Sequence, residues 1–402
     1  MTRAPLLLAA GLALPLLSAC ERPIGLETEQ LGPRGVGMEQ VTNPRVQRAQ
    51  RPIPDPVLLA ATPGEPLARE VYQNVQVLGD LPVSQFNALM SNITNWVSPV
   101  RAGDPNSGCN YCHNPENMAS EEKYTFTVSR SMINMTRTIN QDWQTHVKDT
   151  GVTCWTCHRG QPVPGNVWVE PAPERSRGLL QTLGGQNMPM PSVAYATLPF
   201  DPFSRYFAGS DDIRVVSNEI HRSPNHVRSI QATEATYGLM MHMSDALGVN
   251  CTYCHNSRNF GSWNTSREQR VGSWYAIRMT RETNNQYITP LALKGVIPAR
   301  GFDGQPRLGP TGGALKTNCA TCHQGQAKPM GGVSMLDQAP SLAAHPAGYG
   351  STRAQLLAGR VGEAVNEARA RIEARRAAES APAEEAAPGA PVAQAAGADT
   401  AG

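Results

Sequence analysis

The chain has 402 residues, which is enough for one large or two medium domains. Only 40% of the residues are hydrophobic and 6% aromatic, beside 36 Gly and 33 Pro, so we expect something other than side chains to help fill the core. A formal net charge of +2 argues against a nucleic-acid-binding protein, which usually carries a basic stripe.

The N-terminus is predicted to be a processing signal. Arg3 precedes an apolar run that starts at Leu6 and ends in small residues before Cys20, a pattern typical of a secretory signal peptide. The stretch LSAC also resembles a bacterial lipobox. That resemblance implies cleavage before Cys20 and acylation of its thiol, which would hold the protein on a membrane surface. The alternative is an ordinary signal peptide in which Cys20 is incidental.

Eight of the nine cysteines fall in four copies of Cys-x-x-Cys-His. This is the attachment motif of c-type haem, in which two thiols bond to the porphyrin and the adjacent His can bind the iron. Zinc sites, redox thiols and disulfides also use paired cysteines, but none of them requires a His after every second Cys. The sequence therefore predicts four covalent haems. The motifs are Cys109, Cys112 and His113; Cys154, Cys157 and His158; Cys251, Cys254 and His255; and Cys319, Cys322 and His323.

The four motifs form two similar halves. The first and third read C-x-Y-C-H-N, whereas the second and fourth read C-x-T-C-H-x-G-Q. Two preceding segments also match in pairs, so we predict tandem repeats with two haems each. The pairs are residues 87–98 with 237–248, and 132–140 with 276–284. The predicted divisions are a signal peptide (1–19), an extended N-terminal segment (20–70), the first repeat (71–165), a Pro-rich connector (166–216), the second repeat (217–332), and a C-terminal helix with a disordered Ala/Pro/Glu-rich tail (333–402).

Each iron needs a second axial ligand besides its motif histidine, and Met or His is the usual choice. An amphipathic helix with a predicted cap at Ser84 would place Met90 over the first haem. Met240 takes the matching position before the third motif. Met132 lies on the helix before the second motif, where Met135 competes with it. Core packing is the alternative for every methionine. Three others are assigned to packing: Met241, Met243 and Met279.

The fourth haem breaks the symmetry, because Ala276 occupies the position that aligns with Met132. His146 is the candidate ligand. Residues 130–146 are predicted to form one helix, on which Met132 and His146 share a face at a separation of roughly 21 Å. That distance is too long for one iron but suits two neighbouring haems. A surface or capping histidine is the alternative, and the residues alone leave both open.

These stretches resemble the tetrahaem cytochrome subunit of purple-bacterial photosynthetic reaction centres. The likeness covers roughly residues 71–332 and includes LMSNITNWVSP, TRTINQDWQTHVKDTGVTCWTCHRGQPVP and LMMHMSDALGVNCTYCHN. It implies a mainly α-helical multihaem fold, with a pseudo-twofold axis, long irregular loops and four haems in a near-linear row. It also implies that Met90, Met132 and Met240 serve haems one, two and three, and that His146 serves haem four.

The same resemblance implies an electron carrier rather than an enzyme. It would pass single electrons from a soluble periplasmic cytochrome or high-potential iron–sulfur protein to the photo-oxidised special pair of a reaction centre. The haem at His255 would lie nearest the membrane, with Arg270 and Arg278 tuning it or pairing with its propionates. Lipid at Cys20 would hold the chain at the periplasmic face of the photosynthetic inner membrane. The alternative function is a periplasmic multihaem reductase with one open iron position, and a free electron store is a third.

Overall fold

The computed structural model describes residues 27–30, 39–42, 52–171, 190–213, 215 and 230–343, and this part of the chain is mainly helical. The signal peptide, Cys20 and the predicted C-terminal helix with its tail lie outside the described residues. Among the described helices, none is long and apolar enough to cross a bilayer.

Four long helices carry the fold, and shorter helices and turns connect them. The α-helices are α1 (Ala68–Val71), α2 (Val83–Val97), α3 (Tyr124–Asp142), α4 (Gln144–Val147), α5 (Cys154–His158), α6 (Ile230–Leu247), α7 (Glu268–Glu282), α8 (Thr289–Leu293) and α9 (Cys319–His323). The 3₁₀-helices are Gly108–Tyr111, Lys148–Thr150, Pro191–Val193, Cys251–Tyr253, Pro329–Gly332, Leu336–Gln338 and Pro340–Ala343. Two π-helical turns are Ser204–Ala208 and Thr283–Ile288.

The N-terminal segment contains a two-stranded antiparallel sheet that the sequence did not predict. Strand β1 (Glu27–Gln30) pairs with β2 (Glu39–Thr42). Strand β2 lies beside the 3₁₀ turn Cys251–Tyr253 of the third motif. Two short pieces of the segment predicted to be extended therefore pair with each other, and one of them lies against the second half of the molecule.

The start of α2 differs from the predicted cap at Ser84. The N-cap position is Pro82, and Ser84 lies inside the first turn. The carboxylate of Glu65 accepts hydrogen bonds from the backbone N–H of Ser84 at 2.5 Å and from its hydroxyl at 2.8 Å. A distant carboxylate thus satisfies a free N–H group of the first turn and complements the positive end of the helix.

The stretch from Arg130 to His146 was predicted to form one helix, but the structure divides it into two. Helix α3 stops at Asp142, and Trp143 adopts φ −113° and ψ 28° before α4 begins. The indole Nε1–H of Trp143 donates to a carboxylate oxygen of Glu282, on α7, at 2.7 Å. This bond between the halves holds the residue at the break and gives His146 a helical turn of its own.

Two apolar clusters form the core, one in each half. Equivalent positions of the sequence alignment recur in both, including Leu89 with Leu239 and Ile133 with Ile277. Cluster 1 consists of Leu78, Leu81, Leu89, Trp96, Ile133, Cys154, Trp155, Met335, Ala339 and Leu342. Cluster 2 consists of Trp168, Phe203, Tyr206, Phe207, Ala235, Leu239, Met243, Ala246, Ile277 and Cys319.

Hydrogen bonds join the two halves through α3 and the π-helical turn Thr283–Ile288. The hydroxyl of Ser131 donates to the carbonyl of Tyr287 at 2.9 Å, and the hydroxyls of Thr138 and Tyr287 lie 2.7 Å apart. Residues 333–343 return to the first half, where the N–H of Met335 donates to the carbonyl of Thr150 at 2.8 Å. The start of the predicted C-terminal segment is therefore part of cluster 1.

Candidate haem sites

The four Cys-x-x-Cys-His motifs adopt two backbone conformations. The first and third motifs begin with 3₁₀ turns, whereas the second and fourth motifs form the short helices α5 and α9. Arg159 and Gln324 end these helices in the left-handed conformation, both with φ 50°. Gly160 and Gly325 follow, and their N–H groups donate to the carbonyls of Trp96 and Ala246, each at 2.8 Å. Both bonds reach equivalent positions near the C-terminal ends of α2 and α6.

Each motif histidine is oriented through one ring nitrogen. In every case Nδ1 lies within hydrogen-bond distance of a backbone carbonyl, so Nε2 is left to bind a metal ion. The distances are 2.7 Å from His113 to Met118, 2.8 Å from His158 to Gln161, 2.9 Å from His255 to Phe260 and 2.8 Å from His323 to Gln326. The residue that supplies the carbonyl lies five positions after the histidine in the first and third motifs and three positions after it in the others. A hydrogen bond at Nδ1 fixes the orientation of a histidine whose Nε2 binds haem iron.

Three of the eight motif thiols are held as neutral groups by burial. None of the eight forms a disulfide bond. Burial raises the pKa of the Cys112, Cys154 and Cys319 thiols to about 12, so these sulfurs are neutral rather than thiolates. Within the described residues, no group of three or more His, Cys, Asp and Glu side chains converges as a bare-metal site. Neutral sulfur in apolar surroundings fits covalent attachment to a porphyrin.

His146 faces His323, the histidine of the fourth motif. The ring centroids lie 6.0 Å apart with an interplanar angle of 52°. That separation fits one metal ion between two imidazole nitrogens at about 2 Å each. Burial, helped by His323, lowers the pKa of His146 to about 4, and burial also lowers the pKa of His323, so both rings are the neutral bases that a metal needs. The backbone of Gly272 accepts a hydrogen bond from His146.

The three predicted methionine ligands are partly buried on long helices. Met90 packs against cluster 1, and the hydroxyl of Thr94, one turn further along α2, lies 3.8 Å from the Cys109 sulfur. Met240 packs against cluster 2. Met132 lies next to Ile133 of cluster 1 on α3, and Met135 is also partly buried. The choice between Met132 and Met135 stays a prediction. Met243 is a buried member of cluster 2, in line with a packing role.

The two candidate arginines occupy different surroundings. Arg270 stacks on Trp263 at 4.1 Å and donates to the carbonyl of Ser262 at 2.7 Å. Burial is the main cause of the lowered pKa of His255 in the third motif, and the positive charge of Arg270 adds to it. Arg278 stacks on Trp274 at 3.1 Å, and burial lowers its pKa. The structure thus brings Arg270 to the third motif, while Arg278 lies two turns along α7.

Three buried polar residues near the sites were missed by the sequence reasoning. Arg137 is fully buried and forms an ion pair with Asp80. Asn140 binds the backbone N–H and C=O of Val152 at 2.7 and 3.0 Å, two residues before the second motif. Asn284 binds the same groups of Thr317 before the fourth motif, at 2.8 and 3.0 Å. Their signal was present, because TRTIN and TRETN align and the Arg and Asn recur.

The attachment motifs, the oriented histidines and the helical scaffold define a c-type cytochrome. The sequence profile of the photosynthetic reaction centre cytochrome C subunit matches residues 21–343. The chain therefore belongs to this family of electron-transfer proteins, which bind haem c and associate with the membrane subunits of a reaction centre.

Individual relatives agree with the family match. The photosynthetic reaction center cytochrome c subunit of Rubrivivax gelatinosus is 43% identical over 347 residues, covering 85% of this chain and 90% of the relative. That of Thermochromatium tepidum is 46% identical over 330 residues, covering 81% and 77%. That of Roseobacter denitrificans is 36% identical over 342 residues, covering 80% and 86%.

Proposed function

We propose that the chain holds four haem c groups and relays single electrons from a soluble periplasmic donor to the photo-oxidised special pair of a reaction centre. The observation that carries the proposal is the pair His146 and His323, which come from different halves and face each other as two neutral imidazoles. A reductase would instead need an iron position open to substrate. Family membership also favours the carrier over the reductase.

Contacts between the motifs support the order first, second, fourth, third along the relay. Burial is the main cause of the raised pKa of Cys154 in the second motif, and a smaller contribution comes from Cys112 of the first motif, which lies nearby. Helices α5 and α9, the second and fourth motifs, pack together. Helix α9 packs on α6, which leads into the third motif at Cys251. The third motif therefore takes one end of the row and the first motif the other.

When bound, haem c supplies the one-electron redox couple, and the chain's residues hold it in place and set its potential. The motif cysteines would fix each group covalently, and each motif histidine, held at Nδ1, would offer Nε2 to the iron. In the proposal, Met90, Met132 and Met240 complete the first, second and third sites, and His146 completes the fourth. A Met ligand raises the potential relative to His, so the fourth site is expected to have a lower potential than a matched Met/His site.

Matched interactions in the two halves support the proposal of tandem two-haem repeats related by a pseudo-twofold axis. Asn140 and Asn284 clamp the chain before the second and fourth motifs in the same way. Gly160 and Gly325 make equivalent bonds to α2 and α6. These contacts pair the same alignment positions that suggested the duplication.

The position of the N-terminal sheet supports a membrane on the side of the third motif. Strand β2 lies beside Cys251–Tyr253, and Cys20 precedes Glu27 of β1 by seven residues, which span at most about 25 Å. A lipid at Cys20 would therefore lie close to the third motif. In this proposal the third haem faces the periplasmic surface of the photosynthetic membrane, with Arg270 beside it and Arg278 two turns further along α7.

The ligand assignment is tested by His146→Met in the haem-loaded protein, with each haem titrated separately. The potential of the fourth haem should rise while the other three serve as internal controls. If the fourth haem keeps its potential and its low-spin spectrum, His146 is not its ligand.

The carrier function itself is tested on the purified complex. The protein should co-purify with a bacteriochlorophyll complex, and its haems should be oxidised after a light flash. Four low-spin haems that ignore carbon monoxide agree with the carrier. A high-spin haem that binds carbon monoxide would favour the reductase, and the absence of any stable membrane partner would favour a free electron store.

A further inference from the structure

Two cysteine sulfurs from different halves meet at the centre of the molecule. The Sγ atoms of Cys157 and Cys322 lie 2.6 Å apart. Each is the second cysteine of its motif, Cys157 on α5 and Cys322 on α9, so the two occupy equivalent positions in the two halves. Equivalent atoms meet where a twofold relation brings two halves together.

The contact is held by a buried polar network. Arg159, which is 6% exposed, donates to the carbonyl of Thr156 at 3.1 Å and to the carbonyl of Cys322 at 3.2 Å, and so ties α5 to α9. The N–H of Asn318 donates to the hydroxyl of Thr321 at 3.0 Å and fixes the first turn of α9. Packing and hydrogen bonds on both sides therefore hold the two sulfurs near each other.

The other cysteine of each motif points elsewhere. Cys154 is buried in cluster 1 among side chains such as Trp155. Cys319 is buried in cluster 2 with Leu239 and Ile277. Each of the two motifs thus has one thiol that faces its own half and one that faces the other half.

The geometry points to the Cys157–Cys322 sulfur pair as the contact through which electrons cross between the two halves, from the second haem to the fourth. This inference rests on the proposed four-haem relay. Each crossing moves one electron: the iron held by His158 is oxidised by one electron, and the iron held by His323 is reduced by one. No bond forms or breaks, and no proton moves.

The physical reason is that electron tunnelling decays less steeply through bonds than through space. With haem attached, each thioether sulfur would be bonded to a porphyrin edge, so a path through Cys157 and Cys322 would consist of bonds interrupted by one sulfur–sulfur gap. Sulfur is also large and polarisable, which helps coupling across a contact. Without one of these sulfurs the through-space gap becomes longer.

The test compares two variants that each lose one thioether from the same haem. Cys157→Ala removes the sulfur at the contact, whereas Cys154→Ala removes the sulfur in cluster 1 and is the matched control. Loss of one thioether in each is verified by mass and by the shift of the haem absorption band, and the potential of every haem is titrated so that rates are compared at equal driving force. The step between the second and fourth haems is then timed after a flash in the complex with the reaction centre.

We expect a several-fold slower step in Cys157→Ala than in Cys154→Ala. Cys322→Ala should be slower than Cys319→Ala in the same way. The double variant of Cys157 and Cys322 should be little slower than either single variant, because the two changes remove one shared contact. Equal rates in the matched pairs, or fully additive losses in the double variant, would overturn the inference.

The unmodified protein provides a check that does not depend on variant maturation. In an experimental structure of the haem-loaded full chain, the two sulfurs should lie in van der Waals contact, within roughly 4 Å. A clearly longer separation would reject the inference even if the relay operates. A failure of the relay itself would be distinct, because no haem of the unmodified complex would then be oxidised by a flash.

Discussion

Replacing Asp80 with Asn should destabilise the fold by about 3 kcal/mol, at the low end of the range for breaking a buried ion pair. Arg137 is fully buried, and the Asp80 side chain is 10% exposed. Two parallel bonds of 3.0 Å join the guanidinium to the carboxylate, so the substitution removes the negative charge that Asp80 places against a buried cation. The cost stays at the low end because the carbonyl of Val77 still accepts from Arg137 at 2.9 Å.

The assay is guanidinium unfolding of the haem-loaded protein, followed by haem absorbance and by circular dichroism. Asp211→Asn is the matched control. Its pair with Arg205 is solvent-exposed, with 50% and 38% of the two side chains accessible, so the expected loss is at most about 1 kcal/mol. Equal losses in the two variants would refute the reasoning that burial makes the Arg137 pair costly to break.

Two further predictions concern the segments around the motifs. Asn140→Ala and Asn284→Ala should each lower the free energy of unfolding by about 2–4 kcal/mol, because each leaves buried backbone groups unpaired. Urea titration measures the loss. The control is Asn285→Ala at an exposed position, which should change the free energy of unfolding by no more than about 0.5 kcal/mol. Gly248→Ala should reduce the yield of haem-loaded protein, since its Cβ would lie 2.2 Å from the carbonyl oxygen of Gly325 at φ +63°. Gly64 has a similar φ of +79°, but a Cβ there would meet nothing within 4 Å. Gly64→Ala therefore measures the backbone strain without the clash, and equal yields of the two variants would contradict the prediction.

Much of the haem chemistry was predictable because it lies in local sequence. A Cys-x-x-Cys-His motif specifies attachment over five residues, and the repeat alignment pairs Met90 with Met240 without any knowledge of the fold. Trp96 and Leu89, which are spaced along the predicted amphipathic helix so that they share a face with Met90, are buried. The family follows from the same stretches, and the profile match confirms it.

The features that were wrong or missed depend on contacts between distant segments. The break at Trp143 is associated with a bond to Glu282, which lies 139 residues away in sequence. The cap of α2 comes from Glu65, 19 residues before Ser84. Local helix signals contain no information on such partners, because tertiary hydrogen bonds override propensity at helix ends.

The alignment and the geometry together support the proposed asymmetry of the fourth site. Extending the match of 132–140 with 276–284 by six residues places Pro290 opposite His146. Pro290 lies at the start of α8 and has no side-chain donor for a metal ion. The second half therefore lacks both a methionine at Ala276 and a histidine at Pro290. The break after α3 sets His146 on a separate turn that packs against α7, so the first half can supply a ligand to the fourth motif in the second half. His146 of the first half thus faces His323 of the second half, and the proposed fourth site depends on this contact between the halves.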